Sequence, residues 1–334
     1  MNLISYAPTA FSSARLPGLA AASSGSKPLK RGGWRMPWGN TRQVVPDFLM
    51  SPSPTELRRE VLEEHDRMIN PGEGVLKVQA EFHNHLTHEY LRFAPYALSS
   101  RLLRGIKLWS KLAFWFLAVM GLWVTITGTW NAEEERLRTF LAFFLFTVVL
   151  TFPSLVGWGV SAFLLSRFFA CLIRPTRGPA WELSRRTGMV TLFKYRGKQV
   201  LTHSAPFHEF DAYIRTRRGN HEFWLEHRYS NAAISFLPIC GPRPCFVSLW
   251  ALWDFLQNYM DTSQPLPDVP GLERYRGNDP TTVKHDGETG RDPRCWVDMD
   301  DESFWQARVS MEESVEALDT DSRPDLMARY VKFT

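Results

Sequence analysis

Cysteine is scarce in this chain. Four cysteines (Cys171, Cys240, Cys245 and Cys295) are spread irregularly over 334 residues, which excludes a disulfide framework. No CxxC pair, HExxH helix, glycine-rich phosphate loop or GxSxG elbow occurs, so the common zinc, nucleotide and hydrolase signatures are missing. An excess of one charge is missing too: 39 Lys and Arg stand against 35 Asp and Glu. That balance argues against a nucleic-acid binder. Residues 1–33 hold no continuous apolar stretch, so no secretory signal is expected there. The first 50 residues, rich in Pro, Ser and Gly, read as a disordered, mildly basic tail.

What the sequence does have is two long apolar runs. Leu112 to Trp130 passes 19 residues without a charge, and Thr139 to Ser166 passes 28. As helices they would measure roughly 28 and 42 Å, against a hydrocarbon core of about 30 Å. A transmembrane hairpin over 106–174 is therefore expected, with spans at about 112–130 and 139–166. Pro153 marks the place for a kink. Arg101, Arg104, Lys107 and Lys111 precede the first run, and Arg167, Arg174, Arg177, Arg185 and Arg186 follow the second. The intervening NAEEERLR carries only Arg136 and Arg138, beside Glu133, Glu134 and Glu135, so the positive-inside rule puts both termini in the cytoplasm. Trp109 and Trp130 fall near the two interfaces. Gly121, Gly128, Gly157, Gly159 and Ser161 would let the helices approach closely.

The remainder divides into cytoplasmic portions. Residues 51–105 form an N-terminal region, where Ser53-Pro54-Thr55-Glu56 has the pattern of a helix start. A charged helix should run from there to about Met68, followed by one or two strands between Gly74 and Tyr90. Over 178–262 short alternating runs succeed one another with turn signals between them. EFWLEHRY alternates cleanly, with Phe223, Leu225, His227 and Tyr229 facing one way. Glu222, Trp224, Glu226 and Arg228 face the other. From Ser248 the period changes to that of a helix carrying Leu249, Leu252, Trp253, Leu256 and Tyr259 on one side. About six strands followed by a helix is the element order of a pleckstrin-homology-like barrel. The fold class expected is thus α+β: a two-helix membrane hairpin with a cytoplasmic antiparallel-β domain ending in a helix. Residues 263–300 read as a Pro-rich extension draped over that domain. Residues 301–334 read as an acidic C-terminal tail with a short helix near Phe304–Leu318.

Three groups of residues have the types that carry chemistry. His83, His85 and His88 are close in sequence, and the first two would share a strand face that a metal could use. Polar strand surface is the simpler reading, because third and fourth ligands are not evident. Cys240 and Cys245 bracket a turn and are expected to be free thiols in a reducing compartment. His203 and His208 stand near Ser204 and Asp211, but such residues fall together by chance, and a triad is a matter of geometry. No catalytic, cofactor-binding or metal-binding residue is assigned, and no cofactor is expected.

The segments WDFLQNYMD, PLPDVPGLERYR, DPTT, HDGETGRDPRCW and GPAWELSRRTGMVTLFKYRGK resemble a family of two-span proteobacterial membrane proteins of unknown function. The resemblance covers roughly residues 50–300. Genes of that family often lie near type VI secretion effectors, and the family supplies no catalytic residues to carry over. What the resemblance implies is an inner-membrane immunity protein that binds and neutralises a cognate toxin. An accessory or chaperone for effector export, and a membrane-tethered hydrolase, are the alternatives. The implied partners are the toxin and the lipid bilayer, with no nucleic acid, and homo-oligomers stay open. Trp181, Trp224 and Trp305 are candidate anchors for the protein partner.

Overall fold

The computed structural model describes residues 5–15, 27–39, 41–59, 85–95, 98–130, 136–165, 178–196, 199–241 and 243–333. The chain forms two compact units, the second interrupting the first: residues 1–72, 81–94 and 179–334 make one, and residues 73–80 and 95–178 make the other.

The interrupting unit is a pair of helices, α1 (Leu98–Trp130) and α2 (Arg136–Leu164). Both are long and apolar enough to cross a membrane, over Leu102–Trp130 and Arg136–Leu164. α1 begins well before the apolar run, because Leu102, Leu103 and Ile106 extend a helical pattern through the basic residues. α2 continues through Pro153. The contacts between them pair rising numbers with falling ones, so the helices are antiparallel. A Cβ on Gly121 would strike the Thr147 side chain. One on Gly128 would lie 2.6 Å from Phe143, and one on Gly157 would lie 2.7 Å from the Ser110 hydroxyl. Those three glycines and the buried Ser161 sit where the helices meet, as the small-residue pattern requires. Gly159 does not, since open space surrounds it.

The larger unit contains two antiparallel sheets. β2 (His85–Leu86), β3 (Tyr90–Phe93), β4 (Trp181–Ser184), β5 (Met189–Arg196) and β6 (Gln199–Pro206) form one, in that spatial order. β1 (Trp34–Arg35), β7 (Phe210–Arg217), β8 (Asn220–His227) and β9 (Ala233–Ser235) form the other. All six strands expected between 178 and 262 are present. β7 and β8 are joined by Arg218-Gly219, with φ of 51° and 79°, the positive values a tight hairpin needs for its twist. A short helix α3 (Leu237–Cys240) leads to α4 (Phe246–Met260).

α4 departs from its amphipathic pattern: every residue from Leu249 to Met260 is buried. Its polar side is covered by the chain's own N-terminal segment. Gly39 N–H donates to the Gln257 side chain (2.8 Å), Arg42 N–H to Asp254 (3.0 Å), and Asn258 to the Arg42 carbonyl (2.8 Å). Trp253 Nε1 donates to the Pro37 carbonyl at 2.7 Å. Residues within 1–50 are therefore not a disordered tail where the structure describes them. Phe11, Met36, Trp38, Val45 and Met50 belong to the main core. Gly188 makes room for this segment: with φ of 71°, a Cβ there would lie 2.5 Å from Thr9 O and 2.6 Å from Phe11 N.

The C-terminal third is likewise packed. Pro270–Asn278 is a 3-10 helix, followed by α5 (Pro280–Thr289), α6 (Cys295–Asp298) and α7 (Asp301–Glu316). Leu266, Val269, Leu272, Trp296 and Val297 join the same core as the sheets. The acidic C-terminal stretch is not a solvated tail, because Phe304, Met327 and Val331 are buried in that core as well. Local sequence signals set the bounds of α5: Asp279 caps it by accepting from Thr282 N–H, Pro280 opens it, and Gly290 ends it at φ 68°. At the other end of the chain, Ser53 and Glu56 form the expected reciprocal cap, at 3.1 and 3.4 Å. The rest of that helix, to Met68, lies outside the described residues.

Candidate functional site

The histidine cluster is only partly in view. His83 lies outside the described residues, and His85 sits on β2. His88 stands in the turn before β3, its ring packed on Tyr275 at 5.8 Å. Burial holds its imidazole below the ordinary range, with Glu89 opposing. Among the described residues no three His, Cys, Asp or Glu are grouped so as to hold a metal ion. Cys240 and Cys245 are free thiols, and burial pushes the Cys240 thiol up to about 12.

His203, His208, Ser204 and Asp211 do not come together as a site. Ser204 pairs with Thr191 across the sheet at 3.0 Å, and His208 is buried. Asp211 is held by Arg228, whose Nε and Nη2 donate to its two oxygens at 2.9 and 2.8 Å. Trp38 Nε1 donates to the same carboxylate at 3.1 Å.

Around Asp211 lies the largest departure from the sequence pattern. Glu226 on β8 and Arg228 just after it have the polarity of a solvent-facing side, yet they are only 1% and 3% exposed. Residues from both chain ends cover them. Arg31 pairs with Glu226 at 3.3 Å, and Arg215 pairs with the same carboxylate. Arg35 pairs with Asp325, while the Trp38 N–H donates to Asp325 at 3.1 Å. The Phe333 ring receives the guanidinium of Arg35 at 3.5 Å and that of Arg228 at 5.5 Å. Each buried carboxylate here has a guanidinium beside it, so no lone charge is left in the interior.

At the edge of this cluster a hydroxyl, an imidazole and a carboxylate stand in line. His227 Nδ1 is 2.8 Å from Ser230 Oγ, and its Nε2 is 3.0 Å from Glu209. His203 Nε2 approaches the same hydroxyl at 3.3 Å. The order is that of a nucleophile, base and orienting acid, but Ser230 Oγ also accepts from the Ala232 N–H at 3.3 Å. This contact closes the turn after β8, and turn closure accounts for the hydroxyl.

Burial lowers the His227 pKa, with the Glu209 bond opposing it, and burial likewise lowers that of His208. Together with His88, three imidazoles are thus held neutral in the fold. Their folded pKa values lie below the ordinary 6.5, so the unfolded chain binds protons first as pH falls. The stability they contribute is full above pH 6.5 and declines as pH drops below it. Thermal unfolding midpoints measured between pH 7.5 and 5.0 should fall toward the acid end, and His208→Gln should flatten the profile. A midpoint that rises on acidification would contradict this.

The aromatic anchors sort themselves by exposure. Trp181 is in the core and takes no part in a surface. Trp224 lies half-buried, its indole N–H donating to Glu222 at 3.0 Å with Arg215 over the ring. Trp305, on α7, is 60% exposed. α7 has two stripes. Phe304, Met311 and Val315 face the fold, whereas Glu302, Trp305, Val309, Glu312, Glu313 and Glu316 face water. Helical spacing produces both stripes, so the sequence alone suffices to find this surface.

The chain matches no known protein family, no curated protein and no solved structure.

Proposed function

We propose that the chain is a two-span inner-membrane protein whose cytoplasmic α+β unit binds and neutralises a cognate type VI secretion toxin. The observation that carries a binding role is α7: an exposed tryptophan set among carboxylates is an anchor with a charged rim, the anatomy of a binding hot spot. Its charge suits a basic partner surface. The naming of that partner as a secreted toxin comes from the family resemblance.

The membrane part of the reading has its own support. The chain leaves the larger unit after Phe93 and returns at Ala180, whose N–H donates to the Phe93 carbonyl at 2.8 Å. Both ends of the interruption are therefore tied together, which an even number of crossings permits and an odd number forbids. The basic residues flanking the apolar runs favour the cytoplasm for these ends. A four-stranded meander, β3 to β6, then a three-stranded one, β7 to β9, then α4 supports the pleckstrin-homology-like reading of the fold.

Expression of this gene should protect cells that make the toxin encoded beside it, and the two proteins should co-purify. A reporter fused at Glu134 should read as periplasmic. Absence of both protection and co-purification would sink the immunity reading. Loss of effector secretion with intact self-protection would favour the export accessory instead.

A further inference from the structure

Strands β5 and β6 outrun the rest of their sheet. β4 pairs with β5 as far as Trp181↔Leu192, and Phe193 N–H still reaches the Ala180 carbonyl at 2.8 Å. Beyond that point Lys194↔Leu201, Tyr195↔Val200 and Arg196↔Gln199 continue as a two-stranded ribbon, roughly 10 Å long at 3.3 Å per residue. Cross-strand partners share a face. Lys194, Arg196, Gln199 and Leu201 thus lie on one side of the ribbon, and Tyr195 and Val200 on the other. Val200 and Leu201 are 50% and 53% exposed, and Lys194 and Arg196 are exposed beside them. No Asp or Glu occurs from Met189 to His208. Apolar side chains presented on a ribbon with adjacent cations, and with no carboxylate to repel an anion, suit the interface of an anionic bilayer.

The position of the ribbon in the fold points the same way. It projects from the end of the sheet where β3 finishes and β4 starts, Phe93 standing opposite Trp181. That is the end from which the chain departs for α1, which starts four residues beyond Ala94, and to which it returns from α2. Tyr195 fastens the ribbon there, its hydroxyl donating to the Pro179 carbonyl at 2.9 Å.

We propose that the free stretch of the β5–β6 ribbon, Lys194–Arg196 paired with Gln199–Leu201, is a second membrane contact: Val200 and Leu201 enter the interface while Lys194 and Arg196 bind anionic lipid headgroups. The proposal rests on the two-span reading above and is independent of any toxin. The covalent connection to the two spans makes even a weak contact persistent, because the ribbon meets lipid at high effective concentration.

The test is hydrogen exchange of the full chain in nanodiscs of phosphatidylcholine alone and of phosphatidylcholine with about one-third phosphatidylglycerol. Among the described residues β6 is the edge of its sheet, so its outward amides exchange freely unless something covers them. Each Lys or Arg at an anionic surface contributes about a factor of five in binding, so two contribute roughly twenty-five. Amides over 199–204 should exchange about tenfold more slowly in the anionic discs. The double variant Lys194→Glu, Arg196→Glu should return them to the phosphatidylcholine rate, and Val200→Ser, Leu201→Ser should do so in part. Exchange over α4 should be unchanged in both variants, which shows that they fold. Equal exchange in the two lipids overturns the proposal and leaves the β6 edge to a protein partner. Failure of the chain to enter discs at all overturns the two-span reading along with it.

Discussion

Replacing Arg185 by Met should unfold the α+β unit under conditions where the native chain is folded. Arg185 is fully buried and pairs with Asp279 at 3.0 Å. It also donates to the Asp261 carbonyl at 2.9 Å, the Gln264 carbonyl at 2.7 Å and the Tyr259 carbonyl. Those carbonyls belong to the end of α4 and the turn after it, so one guanidinium satisfies groups that the helix leaves open. Tyr6 donates to Asp279 at 2.6 Å, and the Thr282 N–H donates to it at 3.1 Å. The cluster therefore ties the N-terminal segment, β4's end, α4 and α5 to one point. Burial opposes both charges, yet Asp279 holds the Arg185 pKa above its ordinary value and Arg185 holds the Asp279 pKa below it. Attraction wins over desolvation on both partners.

Removing one member of such a pair costs about 3–5 kcal/mol, since the other charge is stranded in the interior. That is a large share of the roughly 5–15 kcal/mol that a domain has. Denaturant midpoints in detergent, followed by proteolysis of the larger unit, should drop steeply for Arg185→Met and for Asp279→Asn. The double variant Arg185→Met, Asp279→Leu should recover part of the loss, because no lone charge is left. A midpoint unchanged in Arg185→Met would remove this cluster from the account of the fold.

Trp305→Ala should weaken toxin binding by about 2 kcal/mol or more, roughly thirtyfold, as expected of a central aromatic anchor. Protection of toxin-producing cells should fall with it. The indole is mostly in water and Phe304 beside it faces the core, so the variant should fold as the native chain does. Charge reversal at Glu312, Glu313 and Glu316 should act chiefly on the association rate and on its salt dependence. Undiminished affinity in Trp305→Ala would place the binding surface elsewhere on the unit. The two variants separate cleanly: Arg185→Met acts through stability, Trp305→Ala through contact alone.

Local patterns made much of this protein legible. Two apolar runs announced α1 and α2, alternation announced β4 to β9, and the change of period after Ser248 announced α4. The Ser53–Glu56 cap and the outward stripe of α7 were readable for the same reason, because both depend on residues a few positions apart. Asp279-Pro280 and Gly290 carry the same kind of signal for α5, set inside a Pro-rich stretch.

What periodicity misjudged was which faces meet water. The Glu226 and Arg228 side of β8 and the Asp254, Gln257 and Asn258 side of α4 have the polarity of solvent-facing positions, yet both are buried. Their partners include Arg31, Arg42 and Arg323, from segments whose composition is that of tails. A polar face looks the same in sequence whether water or a complementary chain segment will cover it. The sequence by itself determined the elements, because hydrophobic period and cap chemistry act within a few residues along the chain. Only the tertiary structure decided that both chain ends fold back over the sheets, because charges paired across 69 to 290 residues leave no local trace.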